Sequence, residues 1–409
     1  MASIDPGPVQ PLLSTDGGHT HTSYAVQIDD RVPFVIGDGT LAFEMRVPSD
    51  TYWRRLVTLD PYRAALEYIE GRFDVDGDLT AAVSVWLGQP RTWSVGQLLR
   101  FVLPRLRFER WFQTRTRAAR NVAFHYDRSN DFFAAFLDRR MVYSCAYFRE
   151  PTISIDDAQE AKLHHVCRKL DLTREDTVLD IGCGWGALVV HAAERFGVTA
   201  VGCTLSHAQR EAADRTLTSR GLTDRAQVQE IDYRDLWGRF SKIASVGMVE
   251  HVGRSRLLRY FTKLNELLEP SGLLLNHGIA RPETLREGAA THFLQRHVFP
   301  GAELPTLAQV IVAAERAGFE VLDVENLRPH YALTCRAWVQ RLRANKARCL
   351  AAVDEVTYRT WLLYLAGSAV QFADGLTDVH QLLLAKRSST QVRHLTRDYV
   401  YGTESSHVA

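Results

Sequence analysis

The sequence predicts an α/β protein in which a seven-stranded, doubly wound sheet follows a smaller N-terminal α+β unit. Two patterns predict it. Short apolar runs alternate with amphipathic segments from Thr177 onward, which is typical of strands and covering helices. The first run ends in a glycine-rich turn, as in many ligand-binding sheets of this class. At about 150 residues per domain, 409 residues have room for two to three domains.

The composition excludes several classes of protein. The chain carries 49 Lys and Arg against 48 Asp and Glu, so we expect neither a strongly basic nucleic-acid binder nor an acidic disordered chain. Its six cysteines are scattered without a Cys-x-x-Cys pair, which predicts a reduced, cytoplasmic compartment and no zinc ribbon. We predict no metal site. Neither a signal peptide nor an apolar run of ~18–20 residues is evident, so we expect a soluble protein that can still visit a membrane surface.

The N-terminal part divides into a tail and a small unit. Residues 1–23 are rich in Pro, Gly, Ser and Thr, which predicts a disordered tail. Residues 24–104 form the predicted α+β unit, with strand-like segments between Tyr24 and Val47 and helical periodicity afterwards. Gly37-Asp38-Gly39 has the composition of a hairpin turn between two of these strands.

A basic linker, residues 105–124, follows the small unit. It interleaves aromatic residues with arginines and contains one acid, Glu109. Two interpretations stay open, namely a solvated linker helix or a surface that meets anionic lipid headgroups while its aromatics enter the interface. The six arginines are Arg105, Arg107, Arg110, Arg115, Arg117 and Arg120.

The predicted doubly wound sheet belongs to a domain at residues 125–390, followed by a loose tail at 391–409. A helical stretch from Ala332 to Phe372 separates the last two strands and suggests a late insertion. The seven predicted strands are, in chain order, TVLDI, VTAVGC, AQVQEI, KIASVGM, LLLNHGI, FEVLDVENL and VHQLLLAK.

The glycine-rich turn is the first candidate binding element. Gly182, Gly184 and Gly186 follow the first strand and precede the segment ALVVHAAERF, which predicts a helix. Such glycines let the backbone approach a ligand, and the helix N-terminus offers free N–H groups. The spacing lacks the Gly-x-Gly-x-x-Gly of a pyrophosphate cradle, and a plain tight turn is the alternative. Asp180, at the strand end, could hold an amino group or a water-linked ribose.

The end of the second strand lacks the acid that commonly binds ribose hydroxyls. Thr204, Leu205, Ser206 and Gln209 stand there instead. Ser206 and Gln209 have the spacing of a capping box, which is one interpretation. The other is that Thr204 and Gln209 replace the acid as contacts to a ribose and a methionine group.

Five ordered motifs between residues 100 and 387 together indicate a family. They are the aromatic segment His125–Phe148, the Gly-x-Gly-x-Gly turn, Thr-Leu-Ser-x-x-Gln, Met248–Gly253 and His297–Pro305. The set closely resembles the cyclopropane-fatty-acyl-phospholipid synthase family, and the glycine turn resembles motif I of the S-adenosylmethionine-dependent methyltransferases. The resemblance implies a Rossmann-like methyltransferase sheet and S-adenosylmethionine (SAM) as cofactor. The small N-terminal unit resembles the lipid-recruiting domain of the larger synthases.

The resemblance also implies roles for particular residues. Asp232 and Tyr233 correspond to the pair that flanks the adenine, and Asp180 completes the predicted cofactor site. A bicarbonate ion beside the transferable methyl would be bound by Cys145, Glu250, His277, Tyr331 and the backbone of Ile279. Each has a structural alternative, such as a capping acid, a core histidine, a buried thiol or simple packing. The other implied cofactor contacts are Tyr143, Ser144, Gly182, Gly184, Thr204, Leu205 and Gln209.

The chemistry supports that set independently. A cis alkene that attacks a sulfonium methyl becomes a carbocation, and a base must then remove a proton. A small ion held by Glu250, His277 and Tyr331 would be a weak, displaced base suited to that step. Glu250 and His277 follow the fourth and fifth strands, at the ligand-binding edge of the sheet. Many family members have a cysteine where Ser368 stands, so a thiol-based mechanism is untenable here; we expect Ser368 to line an acyl cavity.

The predicted function is therefore methyl transfer from SAM to a cis double bond of an unsaturated phospholipid, at the inner face of a membrane. A cyclopropane is one product, and a methylene- or methyl-branched chain, with a partner reductase, is the other. The apolar run Trp361–Phe372 and the arginine cluster argue against a small-molecule N- or O-methyltransferase. A non-catalytic lipid-binding protein is the remaining alternative. Homodimerisation stays open, and no nucleic-acid partner is expected.

Overall fold

The computed structural model describes residues 22–88, 130–284, 289–299, 303–389 and 394–402. The predicted basic linker and most of the two tails lie outside the described residues. The strands are β1 Ser23–Ile28, β2 Phe34–Ile36, β3 Leu41–Val47, β4 Asp74–Gly77, β5 Thr177–Ile181, β6 Thr199–Thr204, β7 Ala226–Glu230, β8 Phe240–Val246, β9 Leu268–Ala280, β10 Phe319–Asn326 and β11 Asp378–Lys386. The helices are α1 Asp50–Leu56, α2 Pro61–Ile69, α3 Leu79–Gly88, α4 Asn130–Ala134, α5 Ile155–Lys169, α6 Ala187–Phe196, α7 His207–Ser219, α8 Val249–Val252, α9 Leu257–Leu267, α10 Ala289–His297, α11 Leu307–Arg316, α12 Arg328–Ala344, α13 Lys346–Ala352, α14 Glu355–Ala373 and α15 Asp398–Tyr401.

The small N-terminal sheet has the order β2-β1-β3-β4, and it corrects the predicted hairpin. β2 pairs antiparallel with β1, whereas β3 pairs parallel with β1 on its other side. Gly37-Asp38-Gly39 therefore carries the chain across the end of β1 instead of joining adjacent strands. Position 37 requires a glycine, because a Cβ there (φ +98°) would lie 2.7 Å from the Ser23 hydroxyl.

The predicted seven-stranded sheet is confirmed, with the order β10-β11-β9-β8-β5-β6-β7. The strands from β7 to β9 in this order are parallel to one another, and β11 inserts antiparallel between β9 and β10. Strand order reverses beside β5, so the carboxyl ends of β5 and β8 open a crevice at that point. The glycine turn follows β5 directly and lies in this crevice.

Alternation of side chains along β5 explains why both faces of the sheet are covered. Val178 packs under α5, α6 and α7, whereas Leu179 packs under α9 and α11 on the opposite face. Both side chains are buried, as expected of a strand in the middle of a doubly wound sheet.

The predicted late helical insertion is also confirmed, as three helices, α12 to α14, between β10 and β11. α14 begins after Asp354, whose side chain accepts the backbone N–H of Thr357 at 2.7 Å. α14 packs against α12 and against α2 and α3 of the N-terminal unit, so both parts share one hydrophobic core. Trp338 and Trp361, both 1% exposed, lie in that core.

Among the helices of the described ranges, none is long and apolar enough to cross a membrane.

Candidate active site

A large cavity occupies the crevice at the carboxyl ends of β5, β6 and β8. All ten residues predicted as cofactor contacts line it, although they come from four separate stretches of the chain. They are Tyr143, Ser144, Asp180, Gly182, Gly184, Thr204, Leu205, Gln209, Asp232 and Tyr233. The fold therefore brings the predicted cofactor set to one place.

The glycine turn adopts backbone conformations that residues with a Cβ rarely adopt. Gly182, Gly184 and Gly186 have φ values of +74°, +54° and +80°. A Cβ on Gly182 would lie 2.5 Å from the Met248 sulfur, whereas a Cβ on Gly184 would meet nothing within 4 Å. Gly184 thus leaves open space in the cavity wall. Gly186 is the N-cap of α6, and the first backbone amides of that helix suit an anionic group.

The segment after β6 contains half of a capping box and a polar pair on the cavity wall. The Ser206 hydroxyl accepts the backbone N–H of Gln209 and caps α7, which is half of a capping box. The Gln209 side chain does not return to the cap, because its Oε1 accepts a hydrogen bond from the Thr204 hydroxyl at 2.7 Å. Thr204 and Gln209 thus form one polar pair on the cavity wall.

Asp232, the acid after β7, is hydrogen-bonded to Arg234. The Asp232 carboxylate accepts the backbone N–H of Arg234 at 3.0 Å and binds the guanidinium of the same residue. The Tyr233 ring packs edge-on against Tyr260. The Asp232 side chain is therefore held in place while it lines the cavity.

Lys162 is a cavity residue that the sequence reasoning missed. Its ammonium donates to the Ser144 hydroxyl at 3.0 Å and is wholly buried. Burial lowers the pKa of Lys162 to about 8, and burial raises the pKa of the nearby Asp180 to about 7. The sequence does contain a signal for Lys162, because its spacing places it on the same face of α5 as Ala158 and Val166, and that face is buried.

The paired charges at this end of the cavity suit a zwitterion. An amino-acid group carries an ammonium and a carboxylate, which match the Asp180 carboxylate and the Lys162 ammonium. The polar Thr204–Gln209 pair and the Asp232–Tyr233 segment line the remaining wall. These residues fit SAM, whose methionine end is zwitterionic and whose other end is a nucleoside.

Glu250 belongs to a second group of polar side chains, next to this cavity. It lies on α8 directly after β8, and its Oε1 accepts the backbone N–H of Ile279 at 2.7 Å. Its Oε2 is buried without a hydrogen-bond partner. Burial raises the pKa of Glu250 to about 7, although the Ile279 amide opposes that shift. The backbone N–H of Ile279, a residue whose backbone was predicted to bind an anion, is thus bonded to Glu250.

His277 lies on β9, two residues before Ile279, and its imidazole is neutral. Its Nδ1 lies 3.1 Å from the Gln381 side-chain amide, which donates to it, so the ring proton is assigned to Nε2. Burial lowers the pKa of His277 to about 3. The Nε2 atom is buried without a partner. Gln381, on the neighbouring strand β11, was not predicted from the sequence.

Tyr331 and Cys145 complete the second group. The Tyr331 ring stacks on Phe372 at 4.4 Å, and burial raises the pKa of Tyr331, with Cys145 and Glu250 adding to the shift. The Cys145 thiol donates to the Leu327 carbonyl at 3.8 Å. Burial raises the pKa of the Cys145 thiol well above its usual range, so it is a thiol and not a nucleophilic thiolate.

Ser368 was expected to line an acyl cavity, and that expectation stays a prediction. It is buried on α14, but it is not among the residues around the cofactor cavity or around a second, apolar cavity that borders the same helix. Gly367 lines the second cavity instead.

The profile of the family described as mycolic acid cyclopropane synthetase matches residues 113–382. A probable fatty acid methyltransferase of Pseudomonas putida is 40% identical over 325 residues, covering 78% of this chain and 81% of its own. The tuberculostearic acid methyltransferase UfaA1 of Mycobacterium tuberculosis is 32% identical and covers 94% of each chain. Among solved structures, the mycolic acid cyclopropane synthase CmaA1 complexed with S-adenosylhomocysteine (SAH) and CTAB has a TM-score of 0.63 at 34% identity, covering 66% of this chain and 98% of its own.

The cavity geometry, the glycine turn and these relatives agree on one assignment. The predicted resemblance to a family of lipid-modifying, SAM-dependent enzymes is confirmed. The chain belongs to the mycolic acid cyclopropane synthetase family and is a SAM-dependent lipid methyltransferase.

Proposed function

We propose that the enzyme transfers the methyl carbon of SAM to the cis double bond of an unsaturated acyl chain in a phospholipid, and that loss of a proton from the incoming carbon closes a cyclopropane ring. One observation carries the proposal. Glu250 Oε2 and His277 Nε2 are buried and unpartnered beside the cofactor cavity, although buried polar atoms are rarely left unpaired. A site for a small polar guest and an apolar substrate explains both.

The walls of the site suit an acyl substrate that becomes cationic. Bound SAM supplies an electrophilic methyl group. The Tyr143 ring packs against Trp338 and Trp361, with ring centres 5.3 and 5.9 Å away. Aromatic faces within about 6 Å of a cation stabilise it, and the same rings exclude water that would trap a carbocation.

The residues of the second group fit bicarbonate. The neutral His277 offers an N–H donor, and a Glu250 with a pKa near 7 can donate or accept a proton. Tyr331 offers a hydroxyl, and Cys145 lies next to it within the same core. Bicarbonate would supply a small proton acceptor there, held by these side chains together with the Ile279 amide that Glu250 already binds.

A methylene- or methyl-branched product is the second candidate. It needs the same methyl transfer, followed by proton loss from a different carbon and, for a saturated branch, a partner reductase. UfaA1 and the P. putida relative, which cover 94% and 78% of this chain, are named for methyl transfer to fatty acids, and the solved cyclopropane synthase covers 66% of it. Ser368 instead of the cysteine common in the family also separates this chain from many synthases.

Labelled SAM and vesicles of a monounsaturated phospholipid test the proposal. We expect the fatty acids to gain the mass of one methylene. Loss of the alkene signal identifies a cyclopropane, and a retained alkene identifies a methylene branch. Transfer to a soluble amine or hydroxyl compound, with no gain on lipid, would establish a small-molecule methyltransferase instead.

A phospholipid substrate also places the enzyme at a membrane. We propose peripheral contact from the cytoplasmic side, by way of the arginine-rich linker, because the substrate chain must leave a bilayer to reach a buried site. Co-sedimentation of the enzyme with anionic vesicles measures that contact, and size-exclusion chromatography with light scattering measures whether the chain forms a homodimer.

A further inference from the structure

A second cavity lies between the N-terminal unit and the catalytic part. Tyr62, Ala65 and Trp86 contribute from α2 and α3, and Leu294 and Leu363 from α10 and α14. None of the described residues that line it is charged. An uncharged wall suits hydrocarbon but not a phosphate headgroup.

Tyr364 connects this cavity to the methyl-transfer site. It lines the apolar cavity, and its hydroxyl accepts a hydrogen bond from the Tyr143 hydroxyl at 3.2 Å. Tyr143 lines the cofactor cavity, and the pKa of Tyr331 is raised in part by Tyr364. A single tyrosine side chain therefore borders the apolar cavity on one side and the reacting groups on the other.

We propose that this cavity holds the methyl-terminal end of the acyl chain whose double bond is methylated, with Tyr364 between the two sites. The inference rests on the proposed function. The chain end is the part of a phospholipid without polar groups, so it matches walls without charges. Part of the wall comes from residues 22–88, which lie outside the region 113–382 that the family profile matches. The N-terminal unit thereby becomes a part of the substrate site and sets the length of chain that fits.

Gly367 provides a direct test. It lines the cavity from α14, and a Cβ built there meets nothing within 4 Å. Gly367→Leu therefore places a side chain in the cavity without a backbone clash, and leucine favours a helix more than glycine does. Val356→Leu, at a half-exposed position of the same helix, is the matched control.

The first measurement compares palmitoleoyl with oleoyl phospholipid vesicles, whose chains differ by two methylenes beyond the same double bond. We expect Gly367→Leu to lower kcat/KM for the oleoyl chain about tenfold more than for the palmitoleoyl chain, the scale of discrimination that one or two methylenes give. The affinity for SAH, measured by calorimetry, should not change. Equal effects on both chains would overturn the proposal.

The second measurement does not need turnover. Phosphatidylglycerol vesicles with dibromostearoyl chains should quench the fluorescence of Trp86, a signal identified by its loss in Trp86→Phe. Gly367→Leu should remove that quenching, and Val356→Leu should keep it. Free dibromostearate is the companion probe and shows whether the chain alone is sufficient.

The two measurements separate two failures. Quenching of Trp86 without methyl transfer would overturn the proposed function and leave the cavity as a chain-binding site. Methyl transfer without quenching and without a chain-length effect would keep the function and remove the cavity from it.

Discussion

Glu250 shows how one buried carboxylate can serve chemistry at the expense of stability. Its Oε1 is satisfied by the Ile279 amide, whereas its Oε2 is buried without a partner. Burial raises the pKa of Glu250 to about 7, so ionisation near neutral pH is opposed by the protein interior. An unpaired group of this kind is typical of functional sites.

We predict that Glu250→Gln lowers the rate of methyl transfer by about 10²- to 10⁴-fold, because it removes a proton-transfer or anion-binding group next to the substrate. The affinity for SAH should stay within about twofold, since Glu250 is not on the wall of the cofactor cavity. Single-turnover kinetics and calorimetry measure the two quantities. A variant with normal turnover would remove Glu250 from the mechanism.

The same variant should be more stable than the parent at high pH. A carboxyl whose folded pKa is about 7 and whose unfolded pKa is near 4.5 binds more protons in the folded state, so its ionisation costs stability as pH rises between those values. Glu250→Gln should gain on the order of 3 kcal/mol at pH 8 and nothing near pH 4. Urea unfolding at both pH values tests this. A gain that is equal at both would contradict the raised pKa.

Two glycines of the turn should respond differently to alanine. Gly184→Ala should fold, because its Cβ meets no atom within 4 Å, but it should weaken SAH binding about tenfold by filling cofactor space at a positive φ. Gly182→Ala should instead lower stability, because its Cβ would lie 2.5 Å from the Met248 sulfur. Calorimetric titration and thermal unfolding separate the two effects. Gly182→Ala with Met248→Ala should recover part of the lost stability.

At the scale of elements, α14 joins the two parts of the molecule. Arg359, on this helix, donates to the carbonyls of Tyr68 and Phe73 and binds Asp74, all in the N-terminal unit. Its side chain is 10% exposed, so its bonds to the two carbonyls are shielded from water, whereas the Asp74 side chain is half exposed. The interface thus depends on a buried guanidinium as well as on apolar packing.

We predict that Arg359→Leu lowers the free energy of unfolding by about 2–3 kcal/mol, because backbone carbonyls lose a charged donor. It should also make residues 22–88 more sensitive to protease. Arg54→Leu is the control, since its ion pair with Asp50 is exposed and worth less than about 0.5 kcal/mol. Equal losses in both variants would show that the interface depends on packing alone.

The seven strands of the large sheet were predicted correctly because each has a local sequence pattern of its own. Apolar runs of strand length between turn residues specify β5 to β11 without knowledge of their partners. The hairpin at Gly37-Asp38-Gly39 was wrong for the same reason, since a turn composition does not tell which strands it joins. In the fold β3 pairs with β1 and not with β2, so the turn joins two strands that are not neighbours.

At the scale of the whole molecule, charge predicts how the enzyme meets its substrate. The chain as a whole is nearly neutral, at +1, but residues 105–124 combine six arginines with one acid. Clustered cations attract anionic lipid surfaces, and that attraction weakens as salt rises.

We therefore predict that Arg110→Gln, Arg115→Gln and Arg117→Gln together weaken binding to anionic vesicles at low ionic strength, by about 1 kcal/mol per charge. Neutral vesicles should show little difference between the variant and the parent. Co-sedimentation across a salt series measures both. Unchanged binding to anionic vesicles would identify the cluster as a solvated face.

The strands of the sheet, the glycine turn, the helical insertion and the family could all be predicted from the sequence, because each depends on the spacing of residues that are close together in the chain. Only the tertiary structure decided which groups meet. His277 and Gln381 are 104 residues apart, and Lys162 reaches Ser144 from another element. Periodicity tells which face of an element is buried, but not what it is buried against. The unpaired atoms of Glu250 and His277 and the apolar cavity beside Gly367 arise from packing between distant segments, so they could be seen only in the fold.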